Sequence, residues 1–290
     1  MAETIGFIGL GAMGAGMCRN VARKHGGPVL AFDMNPAALA AITEATPARS
    51  LAEIAETADV VMLSLPGGKQ VTAVCETLAA HGRAGMVVID LSTTGVDEAR
   101  SVQASLAPHG IAFLDAPVAR ARAAAEAGTL SIMVGASAAL FARVEPWLRY
   151  MGTDVARCGE VGCGQVVKLV NNMLLFEHVA ALAEMMVVAE RAGVTNATLL
   201  DVLAVSSADS FALRNHGMKA MLPRSFPERA FPSTYAMKDI GHAIALAEAM
   251  GVEPRLPRVA AAYYREAIAA GIGEAYFPAI LTLIEKEDGR

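Results

Sequence analysis

Three glycines near the start of the chain constrain its fold more than any other feature. An apolar run at residues 4–8 leads directly into them. They form the pattern G-x-G-x-x-G in the segment Gly9, Leu10, Gly11, Ala12, Met13, Gly14. At these places glycines permit a tight turn, the close approach of a diphosphate and the close packing of a helix on a strand. The order of strand, glycine loop and helix predicts a dinucleotide-binding βαβ unit.

An acidic residue stands where such a unit holds the ribose of the dinucleotide. Asp33 follows the apolar run at residues 29–32, about 20 residues after Gly14, and Met34 comes next. A carboxylate there accepts hydrogen bonds from the ribose hydroxyls and repels a 2′-phosphate, and no arginine follows it directly. We therefore predict NAD, and not NADP, as the cofactor. The alternative is that the glycines only serve turns and that Asp33 caps the next helix.

Short apolar runs alternate with helical patterns through the first half of the chain. Most of the runs are apolar on both faces, as expected for parallel strands covered by helices. They lie at residues 4–8, 29–32, 59–65, 86–91, 111–114 and 131–135. We predict an α/β fold with a Rossmann-type, doubly wound and mostly parallel sheet over residues 1–164.

The pattern changes after Gly164, where strand-like runs end and long helical stretches follow. These stretches lie at residues 165–191, 198–203, 207–221, 235–250, 258–270 and 276–286. We predict an all-α domain for substrate binding and oligomerisation over residues 165–290, joined to the first by the long helix from Gln165. Residues 166–189 are very apolar, but charged and amide side chains interrupt them, which predicts a buried helix and no membrane span.

Charge and composition limit the partners of the chain. The net charge of −5 is unfavourable for binding nucleic acid or an anionic membrane. Hydrophobic residues make up 54% of the chain, so we expect apolar surface to be buried in a homodimer or homotetramer. Four cysteines without C-x-x-C spacing predict reduced thiols, and a start without signal-like features favours the cytoplasm. The six histidines lack metal-ligand spacing, so we predict no metal.

Several segments beyond the glycine loop resemble one enzyme family in their order and spacing. They are LPGG at residues 65–68, DLST at 90–93, DAPV at 115–118, GTLSIMVG at 128–135, KLVNN at 168–172 and KD at 238–239. With residues 6–14, they make the chain similar to the β-hydroxyacid dehydrogenase family over essentially its whole length. The resemblance implies reversible hydride transfer between NAD(P) and the hydroxyl or aldehyde carbon of a short 3-hydroxy acid. It also implies an active site between the sheet's carboxyl edge and the helical domain.

The resemblance also implies roles for particular residues. Lys168 and Asn172 are four residues apart and share one face of the predicted long helix. Carried over from the family, Lys168 exchanges a proton with the substrate oxygen, and Asn172 orients the lysine or that oxygen. We expect partial burial to lower the pKa of this lysine toward its working range. Ser92 and Thr93 are expected beside the nicotinamide and the substrate. Further cofactor contacts are expected from Met34, Leu65, Pro66, Thr93 and Lys238.

The residues alone leave other roles open for these side chains. A lysine on an apolar helix is often an ion-pair partner or extends its charged end to solvent. Ser92 and Thr93 could cap a helix that begins near Val96, and Lys238 could be a surface lysine paired with Asp239.

The chain departs from the family after Asp-Ala-Pro-Val. Most members continue with Ser-Gly-Gly, which binds the substrate carboxylate, whereas this chain has Ala119, Arg120, Ala121 and Arg122. A guanidinium suits a carboxylate, sulfonate or phosphonate, so Arg120 is a candidate anion anchor. The loop is similar to the Gly-Arg-Thr-Ser of sulfolactaldehyde reductases in the same family, which implies a sulfonate-bearing aldehyde. The alternative is that Arg120 points to solvent and the substrate is an ordinary 3-hydroxy acid, of the 3-hydroxyisobutyrate or tartronate semialdehyde type.

Two other functions are compatible with the same fold. Imine reductases share the dinucleotide-binding half but usually replace the catalytic lysine, so Lys168 together with Asn172 argues against that activity. A non-catalytic NAD-binding module is the second alternative, because fold alone does not fix function.

Overall fold

The computed structural model of the chain describes residues 2–228 and 230–286. It divides into two compact units, one up to Lys168 and one from Leu169 onward. Helix α8, Cys163–Arg191, is long enough to contribute residues to both units. The domain boundary predicted after Gly164 lies in the first turn of this helix.

In the described residues, the first unit contains one nine-stranded sheet. Its strands are β1 Ile5–Ile8, β2 Val29–Phe32, β3 Thr46–Pro47, β4 Val60–Leu63, β5 Val87–Asp90, β6 Ala112–Asp115, β7 Val118–Ala119, β8 Leu130–Gly135 and β9 Gly152–Gly159. Its helices are α1 Gly14–Lys24, α2 Pro36–Ala40, α3 Leu51–Thr57, α4 Gly68–His81, α5 Val96–Leu106, α6 Arg122–Ala127 and α7 Ala138–Leu148. A 3₁₀ turn, Ala107–His109, follows α5.

The strand order confirms the predicted doubly wound, mostly parallel sheet. The order is β3-β2-β1-β4-β5-β6-β8-β7, with β9 paired to β8, and all pairs from β3 to β6 are parallel. Residues of β1, β4 and β5 are buried on both faces, because separate apolar clusters cover the two sides of the sheet. The chain reverses its direction of strand addition between β1 and β4, and in such sheets this place forms the ligand crevice.

Three strands are absent from the sequence-based prediction. β3 and β7 have two residues each, which is too short for a hydrophobic pattern. β9 alternates weakly and carries exposed polar residues such as Thr153 and Asp154, so its sequence resembles a loop. It forms because β8 offers it a parallel edge over six register pairs. Tertiary pairing therefore decides these elements.

Two glycines explain the tight connection between β1 and α1. Gly9 has φ of +95°, and a Cβ there would lie 2.2 Å from the carbonyl oxygen of Ser64. A Cβ on Gly14 would lie 2.0 Å from the carbonyl oxygen of Gly9. The predicted turn at Gly9 and the close helix packing at Gly14 match this geometry.

The second unit is helical in its described residues, as predicted. Besides its part of α8, it contains α9 Asn196–Leu203, α10 Ser233–Ala249, α11 Arg255–Ala269 and α12 Leu281–Lys286. Phe176, Tyr264 and Phe277 lie edge to face in its core. Two predicted helices differ from the structure. The stretch at 207–221 is a π-helical segment only from Leu213 to Met221, and the stretch at 276–286 begins with the 3₁₀ turn Phe277–Ile280.

Helix α8 has the length and apolar composition of a membrane span. Half of its most apolar window is buried inside the protein. A stripe of exposed residues at helical spacing runs along its other side. The large apolar members of this stripe in the second unit are Val170, Leu174, Met185 and Val188.

Candidate active site

The glycine loop is fixed to the end of β2 by Asp33. One carboxylate oxygen of Asp33 accepts the backbone N–H of Leu10 over 2.7 Å, and the other accepts that of Asn35 over 2.7 Å. Each carboxylate oxygen retains an acceptor position for a further hydrogen bond. The helix-cap role considered for Asp33 belongs to Asn35, whose side chain accepts the N–H of Ala37.

The loop offers the features that a diphosphate requires. No atom beyond the chain neighbours lies within 4 Å of a Cβ placed on Gly11, so this side of the loop is open to close approach. Helix α1 begins without a side-chain cap and without an acidic residue in its first turn. Free N–H groups and the positive end of the helix dipole suit an anion there. The residues present therefore fit NAD. Met34, a predicted cofactor contact, is 90% exposed, and its role stays a prediction.

The segments after β4 and β5 are joined at the same edge of the sheet. The buried Ser92 hydroxyl accepts the N–H of Leu65 over 2.9 Å, and the Ser92 N–H donates to Asp90 over 3.0 Å. A Cβ on Gly9 would lie 3.1 Å from the Leu65 side chain, which places this segment against the glycine loop. Ser92 and Leu65 therefore lie near the predicted dinucleotide loop. Pro66 and the half-buried Thr93 follow in the same two segments.

The alternative capping role of Ser92 and Thr93 is wrong. Helix α5 begins at Val96 with Gly95 as its N-cap, and the Gly95 N–H donates to Glu98 over 2.7 Å. The Ser92 hydroxyl instead accepts the backbone N–H of Leu65, and Thr93 lies two residues before the N-cap. Gly95 has no side chain to accept the first N–H groups of the helix, and the Glu98 carboxylate satisfies the N–H of Gly95 itself.

Lys168 and Asn172 are both buried on α8, one turn apart. Lys168 is 8% exposed and Asn172 is 4% exposed. At four residues' separation on a helix, their side chains lie on the same face. A buried ammonium and a buried amide on an apolar helix are unusual unless they have a specific partner or task. The two residues that the family resemblance marks as catalytic are thus both buried polar groups on one face of α8, and the buried Gln165 precedes them on that face.

Asp239 is a functional candidate that the sequence analysis did not assign. The side-chain amide of Asn172 donates to its carboxylate over 2.7 Å, and Asp239 is 3% exposed. Its neighbour Lys238 lies 3.3 Å from the other carboxylate oxygen and 5.2 Å from the ring centroid of Tyr235. The Lys238–Asp239 pairing considered from the sequence is therefore present, while a cofactor contact by Lys238 stays a prediction. The only hint of Asp239 in the sequence analysis was the KD pair at residues 238–239, one of the segments that resemble the family.

The guanidinium of Arg120 contacts the edge of the sheet. It lies 2.7 Å from a carboxylate oxygen of Asp154 and donates to the carbonyl oxygen of Thr129 over 2.6 Å. A longer hydrogen bond of 3.3 Å reaches the Thr153 hydroxyl. The hydroxyl and the guanidinium hold the pKa of Asp154 below its usual value. Use of Arg120 as a substrate anchor requires the side chain to leave these partners.

The backbone of Arg120 has a conformation that favours glycine. Its φ is +81°, in the left-handed region, and it lies between Ala119, the last residue of β7, and Ala121, the N-cap of α6. A residue with a side chain adopts this conformation at an energetic cost, so a glycine would fit this place with less strain. Arg122 pairs with Glu126 one turn further along α6, on the exposed side.

All four cysteines are free thiols, and burial raises the pKa of Cys18 to about 12 and that of Cys75 still further, so these two stay protonated. Within residues 2–228 and 230–286, no three His, Cys, Asp or Glu side chains are grouped as metal ligands.

Two family models match the chain in succession. The model for the NAD binding domain of 6-phosphogluconate dehydrogenase matches residues 4–162. The model described as NAD-binding of NADP-dependent 3-hydroxyisobutyrate dehydrogenase matches residues 162–284.

Individual relatives agree with these matches over nearly the full length. The chain is 33% identical to 2-(hydroxymethyl)glutarate dehydrogenase of Eubacterium barkeri, over 98% of this chain and 96% of that protein. It is 32% identical to NAD-dependent L-serine dehydrogenase of Pseudomonas aeruginosa, over 99% of this chain and 100% of that protein. The structure of Mycobacterium tuberculosis 3-hydroxyisobutyrate dehydrogenase with L-serine is similar with a TM-score of 0.90 and 33% identity, covering 98% and 99% of the two chains. The chain belongs to the β-hydroxyacid dehydrogenase family, in its 3-hydroxyisobutyrate dehydrogenase-like branch, and is an NAD-dependent oxidoreductase.

Proposed function

We propose that the chain interconverts a short 3-hydroxy acid and its semialdehyde, with Lys168 as the general acid and base. The burial of Lys168 and Asn172 on one face of an apolar helix is the observation that carries this proposal. Three relatives are named for 3-hydroxyisobutyrate, L-serine and 2-(hydroxymethyl)glutarate, all of which are 3-hydroxy acids. This shared chemistry supports the substrate class.

Lys168 performs the proton transfer of this reaction. In the reducing direction its ammonium donates a proton to the carbonyl oxygen of the semialdehyde, and in the oxidising direction its amine accepts the hydroxyl proton. When bound, NAD supplies the hydride acceptor and NADH the hydride donor. Burial keeps bulk water from competing for the same proton.

Asn172 orients the reacting groups beside Lys168. Its side-chain nitrogen is held by Asp239, so the amide plane is fixed and its oxygen is directed away from that carboxylate. The oxygen accepts a hydrogen bond from Asn171, its neighbour on the helix. A fixed amide one turn from the lysine restricts the positions of the ammonium and the substrate oxygen.

The head group of the substrate is anionic in this proposal, as a carboxylate, sulfonate or phosphonate. Arg120 is its candidate anchor, as predicted from the loop that is similar to that of sulfolactaldehyde reductases. The ion pair with Asp154 is exposed on both sides, and exposed pairs exchange partners readily. The alternative is a substrate of the 3-hydroxyisobutyrate or tartronate semialdehyde type, with Arg120 kept on Asp154. The two alternatives predict different effects of the Asp154→Ala substitution on the KM for the substrate.

The Lys168→Ala variant tests the proposed function. We expect it to lower kcat by about 10²- to 10⁴-fold on the best substrate of a panel of 3-hydroxy acids and semialdehydes. The panel includes L-serine, sulfolactaldehyde, phosphonate aldehydes and succinic, methylmalonic and tartronic semialdehydes. Fluorescence titration should show unchanged NADH binding. Lys219→Ala, which changes an exposed lysine, is the matched control.

Other outcomes of this experiment favour the other functions. Tight NADH binding without turnover of any aldehyde or hydroxy acid favours a non-catalytic NAD-binding module. Turnover of cyclic imines with retention of activity in Lys168→Ala favours an imine reductase. Either result contradicts the proposal.

A homodimer or homotetramer in the cytoplasm belongs to the same proposal. The exposed Val170, Leu174, Met185 and Val188 on one side of α8 support association, because large apolar side chains exposed on one face mark protein interfaces. Light scattering on the Leu174→Glu variant tests this point: a smaller particle than the wild type is the expected result.

A further inference from the structure

Gln165 is wholly buried in the first turn of α8, and both ends of its side-chain amide bind the segment after β5. Its oxygen accepts the backbone N–H of Thr94 over 3.1 Å. Its nitrogen donates to the backbone carbonyl oxygen of Ser92 over 2.9 Å. One side chain therefore satisfies a donor and an acceptor of the same short segment, in which Ser92 and Thr94 are buried.

Asp115 holds the same part of α8 to the end of β6. Its carboxylate accepts the backbone N–H of Gly162 over 2.7 Å and that of Gln165 over 2.8 Å. The first N–H groups of a helix lack partners within the helix, so the carboxylate satisfies donors that burial would leave unpaired. A Cβ on Gly164 would lie 2.3 Å from the carbonyl oxygen of Met133, which shows how closely the helix start approaches the sheet.

These two attachments fix the position of the residues that follow on the helix. Lys168 lies three residues after Gln165, within one turn, and a helix is rigid over that length. The segment that Gln165 binds contains Ser92 and Thr93, which the family resemblance places at the nicotinamide and substrate. The distance between this segment and Lys168 is thus set through the amide of Gln165.

We propose that Gln165 is a positioning residue for proton transfer by Lys168. It acts through the lysine and does not touch the substrate, and the inference rests on the proposed function. Glutamine suits the place because the segment needs one acceptor and one donor from the same side chain. An ionised glutamate offers acceptors only, and leucine offers neither.

Four variants test the inference in the full-length protein with NAD. Gln165→Leu removes both hydrogen bonds, and Gln165→Glu keeps the shape of the side chain. Val179→Ala creates a cavity at a fully buried position further along α8 and controls for a general loss of stability. Lys168→Ala reports on the proposed function itself. For each variant, kcat, the KM for NAD, the KM for the 3-hydroxy acid, the pH profile of kcat and Tm are measured.

We expect Gln165→Leu to lower kcat about tenfold or more, because a misplacement of about 1 Å at a catalytic group can cost about 10²-fold. The KM for NAD should stay within about twofold, since the glycine loop is unchanged. The kcat of Gln165→Glu relative to the wild type should rise as the pH falls, because a protonated carboxyl again offers one donor and one acceptor. Val179→Ala should lower Tm with little effect on kcat. Gln165→Glu provides the test even where the leucine variant does not fold.

The inference is overturned where Gln165→Leu keeps the wild-type kcat, or loses no more than Val179→Ala at an equal loss of Tm. A constant ratio between Gln165→Glu and the wild type across the pH range overturns it as well. Retention of activity by Lys168→Ala would instead contradict the proposed function, so the two failures are distinguishable.

Discussion

Asn172 donates its side-chain amide to Asp239 over 2.7 Å, and both side chains are buried in the helical unit. A buried amide that donates to a carboxylate is held in one orientation, because a rotated amide would bring two oxygens together. In the proposed reaction, this pair determines which way the Asn172 oxygen faces.

Removal of the Asp239 acceptor should reduce turnover. We expect Asp239→Ala to lower kcat about tenfold, since a hydrogen bond to a charged group contributes about 1.5–3 kcal/mol and 1.4 kcal/mol corresponds to a factor of ten. Asp239→Asn should recover part of the loss, because its amide oxygen still accepts from Asn172. Steady-state kinetics and Tm measure both effects. Asp201→Ala, at an exposed position on α9, is the control, and an Asp239→Ala variant with wild-type kcat contradicts the role.

Asp33 should determine the preference for NAD. Its oxygens already hold Leu10 and Asn35, and its charge opposes a 2′-phosphate. We expect Asp33→Asn to lower the ratio of kcat/KM for NAD to that for NADP by about 10- to 100-fold. The single amide oxygen of asparagine can still accept the Leu10 N–H that holds the glycine loop, and the exposed Asn35 N–H is left to water. An unchanged ratio of the two kcat/KM values would show that selectivity lies elsewhere.

The role of Arg120 in substrate binding can be tested through its partner. Asp154 competes with a substrate anion for the guanidinium, so Asp154→Ala should lower the KM for an anionic substrate where Arg120 is the anchor. Arg120→Ala should raise the same KM, and the KM for NAD should respond to neither change. Initial rates with sulfonate, phosphonate and carboxylate aldehydes check this. Unchanged KM values in both variants would place Arg120 outside the substrate site.

The left-handed backbone at Arg120 should be visible in stability. Arg120→Gly and Arg120→Ala both lack the guanidinium, but only glycine adopts φ of +81° without a steric penalty. We expect the glycine variant to be more stable than the alanine variant by about 1 kcal/mol in urea unfolding. Equal stabilities would show that the loop relaxes to another conformation.

His216 should make stability depend on pH below neutrality. Burial, together with the nearby Lys219, lowers the pKa of His216 from 6.5 to about 4, and one ring nitrogen lies 2.7 Å from the Tyr276 hydroxyl. Between these two pKa values the unfolded chain binds the proton more readily than the folded protein. Stability is therefore complete above pH 6.5 and falls as the pH drops toward 4, by about 3 kcal/mol at most.

A His216→Gln variant checks this assignment. Its unfolding free energy should change less between pH 7 and pH 4 than that of the wild type, as measured by urea titration at each pH. His109→Gln, at an exposed position, should leave the wild-type profile intact. A His216→Gln variant with the wild-type pH slope would assign the dependence to other groups.

Local sequence patterns predicted the strands and helices that carry a clear apolar run, a helical periodicity or a glycine motif. The glycine pattern, the β-branched runs and the change after Gly164 gave the sheet, its mostly parallel character and the helical half. β9 was missed because Thr153, Asp154 and Arg157 make it look polar, and only pairing with β8 forms the strand. Pro254 precedes α11 and Pro257 lies in its first turn, where a missing N–H has no helical partner, so α11 begins before the predicted residue 258.

The sequence by itself determined the dinucleotide loop, the NAD preference expected from Asp33 and the shared helix face of Lys168 and Asn172. These follow from short-range spacing, because three or four residues on a helix or in a turn have nearly fixed relative positions. Only the tertiary structure decided that Asn172 donates to Asp239 and that Arg120 forms an ion pair with Asp154. It also decided that hydrogen bonds of Gln165 and Asp115 attach the start of α8 to the sheet unit. In each case the partners are far apart in the chain, and no local pattern specifies which distant donor meets which acceptor.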